Sequence, residues 1–199
     1  KIETWTAEEA AVQIIYPKIP IGPWNKLYKT SLIKVNHIDF NVPWSGEGHW
    51  FSCMAAQCAN HVGVGCRKVY NYRLNNAGSG LTNFKVVMGT NALWNTKNIG
   101  NKLVHPTKRL KAAVNYHIWS CCHFILMLII ATNSKNEHTK EYNECLIQSK
   151  IILPSVILHS EVTWKHKIKM ILMTTFPISY AKYCIKKDRK ALEKDLKNL

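Results

Sequence analysis

Acidic side chains are scarce in this sequence: 12 Asp and Glu stand against 27 Lys and Arg, leaving a formal charge of +15 at neutral pH. An imbalance of that size draws a surface towards polyanions, and nucleic acid, acidic lipid and acidic glycans all qualify as partners. Arginine is itself sparse beside lysine. Guanidinium is the group that reads guanine or clamps phosphate bidentately, so the excess fits diffuse attraction better than sequence readout. Catalytic signatures are missing too. The chain has no Gly-x-Ser-x-Gly elbow, no phosphate-cradling Gly-Lys-Ser/Thr loop and no His-Glu-x-x-His helix, which removes the usual marks of serine hydrolases, P-loop enzymes and zinc proteases. No Asn-x-Ser/Thr acceptor occurs, which weighs mildly against a heavily exposed secretory surface. The sequence opens at Lys1 rather than Met, as expected of a processed product or an excised fragment whose leader would already be gone.

What is present describes a chain that should fold. Of its 199 residues, 47% are hydrophobic and 20% charged, an ordinary globular balance. That length suits one domain with an appended tail and buries a core without staples. Seven cysteines leave one over if the rest pair, which weakens a pure disulfide framework.

Thr6 and Glu9 have capping-box spacing, so Ala7 to Ile15 is expected to be a helix stopped by Pro17. Prolines 17, 20, 23 and 43 break the next stretch, where Ser31 to Phe40 alternates enough for a strand. Arg67 to Tyr72 is rich in β-forming residues, Leu81 to Met88 is a further strand candidate, and the Asn- and Gly-bearing segment to Asn101 reads as loop. Pro106 stands where a helix would begin. A basic turn at Lys108, Arg109 and Lys111 then leads into Ile118–Thr132, almost wholly apolar. Fifteen such residues fall short of the roughly 20 that span a bilayer, and His117, Ser120 and His123 sit awkwardly in lipid. A buried core helix is the favoured reading and a membrane segment the other. Asn133 to Lys140 is the best linker. Beyond it, Ile151 to Leu158 and Ile168 to Phe176 are short apolar runs broken by Pro154 and Pro177, and a last helix has Leu192, Leu196 and Leu199 on one face. The expected organisation is an α+β domain over 1–104, an apolar helix over 105–132, a linker over 133–140 and a basic, mostly helical region over 141–199.

The sharpest ligand pattern is Cys53, Cys58, His61 and Cys66, three thiols and an imidazole in donor types that suit tetrahedral zinc. Its gaps run four, two, four, whereas a zinc knuckle begins with two, so the match is in ligand type and not in motif. The same residues serve equally as small core side chains, or as one disulfide and a free thiol. With zinc bound, Arg67, Lys68, Tyr70 and Tyr72 would neutralise phosphates and stack bases. Pairing Cys53 or Cys66 with His49 or His61 as nucleophile and base rests on sequence closeness alone, which is weak support for an enzyme.

Three blocks in order carry a resemblance. Thr6 to Gln13 is similar to a helix that precedes a central signature. Gly48-His49-Trp50, Met54-Ala55 and Val62-Gly63-x-Gly65 are similar to that signature, and Asn71-Tyr72 with Ala77-Gly78 to a later block. Residues 6–80 thereby resemble the CAP family of cysteine-rich secretory proteins, venom allergens and plant pathogenesis-related proteins, particularly its nematode members. One extra residue separates Trp50 from Met54, Ala56 and Val64 replace the family's Trp and Cys, and two residues intrude before Ala77. The upstream half, with the family's other histidine and its acidic partner, has no counterpart. The resemblance implies a small α-β-α sandwich, here with additional C-terminal helices, together with secretion, no settled catalysis, and binding of sterols, lipids or protein partners. In that setting His49, with Glu47 and Trp50 beside it, is the cleft residue and a possible metal ligand. Without its partner histidine a metal site there is doubtful, since one imidazole holds a divalent ion poorly.

The sequence therefore leads to a non-enzymatic, secreted binding protein of α+β class with no cofactor. A zinc-dependent nucleic-acid module is the alternative, and a membrane- or assembly-anchored structural protein the third reading.

Overall fold

The computed structural model describes residues 2–71 and 84–197, with side chains as far as residue 187. The chain divides into two compact units, Lys1–Tyr72 with Asn91–Ile118 and Arg73–Thr90 with Trp119–Leu199.

In the first unit, β1 (Ile2–Trp5) pairs antiparallel with β2 (Val62–Gly65), Ile2 opposite Gly65 and Trp5 opposite Val62. Thr6 then starts α1 (Ala7–Ile15): its Oγ1 accepts the Glu9 amide at 3.1 Å, while the Glu9 carboxylate is taken by Arg109 and Gln13. Half of the capping box forms, and the acid is spent on α5 (Lys108–Ala131) instead. Five residues of α1 are buried, Ala10, Ala11, Val12, Ile14 and Ile15, and the helix packs against α3 (Glu47–Cys58). Small residues on α1 let the two helices approach.

Helix α3 is buried on nearly every face, with His49, Trp50, Phe51, Ser52, Cys53, Ala55, Ala56 and Gln57 all inside. It begins at Gly46, whose φ of +117° favours glycine, and where a Cβ would come within 3.0 Å of Asn95. Asn95 lies on α4 (Val86–Asn101), is fully buried, and donates from Nδ2 to the Pro43 carbonyl at 2.8 Å. The turn before α3 is thereby fixed. A single-turn 3₁₀ helix at Pro23–Asn25 and the short α2 (Thr30–Val35) complete the segment between α1 and α3.

The second unit takes the start of α4, the end of α5 (Lys108–Ala131), then α6 (Thr139–His159), α7 (Trp164–Thr175) and α8 (Pro177–Lys197). Trp119, Cys122, Ile125, Leu126, Leu128 and Ile129 of α5 form its core. Glycines let α4 lie hard against α5: a Cβ on Gly89 would meet Ile125 at 2.6 Å, and one on Gly100, in the first unit, Val114 at 2.9 Å. By length and composition α5 could cross a membrane, and most of its apolar window is buried within the protein.

These elements overturn the expected fold class. Eight α-helices and one two-stranded sheet occur among the described residues, which is a mostly helical protein and not an α+β sandwich. Ser31 to Phe40 forms no strand. Its first half is α2, because a lone strand would leave its amides unpaired whereas a helix closes them locally. The segment to Asn101 is helix and not loop, its asparagines and glycines serving a buried hydrogen bond and close helix packing. Val86 to Met88 opens that helix; residues 81–83 of the expected strand lie outside the described residues. Residues 67–71 carry no strand, and Tyr72 lies outside the described residues. Pro154 does not break α6, which runs through it. The expected helices at Ala7–Ile15, along the apolar run and near the end of the sequence are present.

Candidate functional site

The first turn of α3 carries Glu47, His49 and Trp50 together. Trp50 is buried, its indole N–H donates to the Asp39 carbonyl at 3.2 Å, and the Lys102 ammonium lies 5.2 Å from its ring centre. Beside it the His49 ring meets His117 of α5, with ring centres 4.4 Å apart and planes inclined at 56°.

Both imidazoles are held neutral. Burial, then the neighbouring His117, keeps His49 well below the usual histidine range. Burial takes His117 down to about 4, against a smaller opposing effect from its hydrogen bond to the Ile15 backbone. Since a neutral ring carries one N–H, and His117 spends it on Ile15, its Nδ1 is a bare acceptor. That atom, His49 Nε2 and Glu47 Oε2 are all buried without a hydrogen-bond partner, as is Oδ1 of Asn95 against the same turn. Each such group left without a partner costs about 1–3 kcal/mol of desolvation, so the first turn of α3 gathers an unusual density of buried polar atoms.

The zinc quartet is not gathered. Cys53 is fully buried with its thiol pushed up to about 12 by burial, and it accepts from Gln57 Nε2 at 3.6 Å. Cys58 is half-buried and likewise raised by burial, while His61 and Cys66 are exposed on either side of β2. Among the described residues no group of three His, Cys, Asp or Glu is arranged to hold a metal ion, so Glu47, His49 and His117 offer at most a pair of nitrogens and a separate carboxylate. Arg67, Lys68 and Tyr70 are exposed after β2, and Tyr70 stacks on Trp24 with centres 4.7 Å apart. All seven cysteines are thiols.

Sequence reasoning took His117 only as awkward in lipid and not as a site residue, although a further signal was there: His117, Ser120 and His123 recur every three residues along an apolar helix, which marks a polar seam. His123 serves the second unit. Its Nε2 lies 3.2 Å from Thr174 Oγ1, the same oxygen that accepts the Trp119 indole N–H at 3.0 Å, and burial lowers the ring to about 4. Two recesses of about 230 and 190 Å³, the first between Lys97, Asn101, Lys111 and Asn115 of α4 and α5, are smaller than the roughly 300–1,000 Å³ usual for small-molecule sites.

Comparison with protein-family models, with curated proteins and with solved structures finds no match for this chain.

Proposed function

We propose that this chain is a non-enzymatic binding or interaction protein that works outside the cell, with residues 6–80 resembling a divergent CAP domain. The observation that carries the non-enzymatic part is the sealed His49. At 3% exposure, and with its basicity depressed, it is not placed to take a proton from a substrate. Buried thiols raised in pKa are poor nucleophiles. The relation to CAP draws support from the first two quoted blocks: Thr6–Gln13 caps and forms α1, the Gly48-His49-Trp50 block forms α3, and α1 packs on α3, while Val62–Gly65 is the strand paired to β1. Recesses of this size favour recognition across a surface over enclosure of a small molecule.

An extracellular setting does not require disulfides here. Cys53, Cys121, Cys122 and Cys145 are buried and Cys58 and Cys184 half-buried, which leaves Cys66 as the exposed thiol. Native mass spectrometry with and without chelator, paired with thiol counting, tests the reading. The expected result is a bare polypeptide mass, one thiol reacting in the native state and seven after unfolding. Loss of one zinc mass on chelation, with Cys53, Cys58 and Cys66 protected only while metal is bound, overturns it in favour of a zinc-dependent nucleic-acid module.

A further inference from the structure

Helix α7 presents two apolar faces. One is fixed to the core of its unit by Met170, fully buried, and by Thr174, whose Oγ1 accepts from Trp119 and contacts His123. The other is bare: Trp164, Ile168, Ile171 and Leu172, spaced i, i+4, i+7 and i+8, are each at least 44% exposed, and Phe176 just beyond the helix is exposed as well. This spacing gathers the four into one arc of the helix. The helix cannot roll that arc inward without breaking the hydrogen bonds at Thr174.

Lysines border the bare arc on both sides, Lys165 and Lys169 along one edge and Lys167 along the other, and Trp164–Thr175 holds no acidic residue. The Lys165 ammonium lies 5.8 Å from the Trp164 ring centre, and that of Lys169 lies 5.7 Å from the Tyr180 ring centre. An apolar strip containing tryptophan and edged by ammonium groups suits the boundary between acyl chains and anionic headgroups, where the strip sinks about 5–10 Å and the cations stay at headgroup level. A second copy of this chain fits poorly, since it would bring lysine against lysine on a protein of net charge +15.

We infer that the outer face of α7 is a peripheral docking surface for an anionic lipid bilayer. It lies beyond the stretch on which the proposed function rests, and it stands or falls separately. The test is flotation of the full chain with phosphatidylcholine vesicles, with and without phosphatidylserine, at low and high salt. Binding is expected on the phosphatidylserine vesicles only, weakening as salt rises, with Lys165→Gln and Lys169→Gln each costing about fivefold in affinity. Ile168→Asp combined with Leu172→Asp should abolish it, with helical circular dichroism retained because both side chains are exposed. Should that variant misfold, Trp164→Phe keeps the question open to measurement by removing the blue shift of indole emission on vesicle addition. Equal binding to both vesicles, undiminished binding of the lysine or aspartate variants, or a blue shift that survives Trp164→Phe overturns the proposal. So does absence of binding to the phosphatidylserine vesicles, and concentration-dependent self-association that the aspartate pair abolishes would then assign the face to a second copy of the chain.

Discussion

The two units differ in where their misfit groups fall: both leave large apolar side chains in solvent, but of the five buried polar atoms without a partner among the described residues, four lie in the first unit and only Ser160 Oγ in the second. The first buries polar atoms that it leaves unpaired: Glu47 Oε2, His49 Nε2, Asn95 Oδ1 and His117 Nδ1 lie around or against the opening turns of α3. In the second, Ile147, Ile151 and Leu158 of α6 and the outer arc of α7 leave large apolar side chains in solvent, while α6 buries only Tyr142, Cys145, Ser149 and Val156. An unpaired buried acceptor weakens its own fold, whereas an exposed isoleucine costs the fold little and changes what the surface attracts. The first unit therefore concentrates its unpaired polar atoms around one turn, whereas the second lines up exposed apolar side chains along α6 and α7.

The largest test of that contrast is acid. His49, His117 and His123 are neutral when folded, and an unfolded imidazole titrates near 6.5. As pH falls below that value the unfolded chain takes up protons that the folded one refuses, until His117 and His123 titrate at about 4; His49 is held well below the usual histidine range by burial and by His117. Stability is thus complete above about pH 7 and should fall by about 3 kcal/mol for each of His117 and His123 over that window, with His49 adding in the same direction. Urea midpoints at stepped pH measure this, and His49→Phe should flatten part of the slope. An unchanged midpoint between neutral pH and pH 5 would remove the buried, neutral pair.

Next in size is Gly46→Ala, which places a Cβ at φ +117° and 3.0 Å from Asn95 Nδ2. A loss of about 2 kcal/mol is expected by thermal or urea unfolding; a loss within error would mean that the α3 turn is not held as described. In the second unit, Thr174→Val strips the partner from the Trp119 indole N–H and from His123, for about 1–2 kcal/mol. Smallest of all, Ile151→Lys, at a site 75% exposed, should move stability by less than about 0.5 kcal/mol. A larger loss there would show that the outer side of α6 is covered after all, and the contrast between the units would narrow.

Legibility in the sequence followed the same divide between local and distant causes. Helix α1 announced itself through Thr6 and Pro17, and α5 through its apolar run, because both signals are local. Helix α3 did not, since a helix buried on nearly all sides has no polar stripe to set a period. Helix α4 was hidden by asparagine and glycine, which break helices on average and here serve a buried hydrogen bond and close packing against α5. Glu47, His49 and Trp50 were visible as sequence neighbours through the resemblance, but His117 reaches His49 only through the tertiary packing of α5. The cysteine pattern was compositional: α3 ends at Cys58 and β2 starts at Val62, so Cys53 is committed to the core and Cys66 to the surface.

The order in which the units draw on the chain bears on how the protein is made. The backbone passes from one to the other at 72/73, again at 90/91 and again at 118/119. A ribosome delivering residues in sequence would release the pairing of β1 with β2 and the packing of α1 on α3 early, yet the first unit would wait for the 91–118 segment while part of the second already trailed beside it. No single cut frees either unit whole, so gene truncations should yield insoluble fragments rather than a working half.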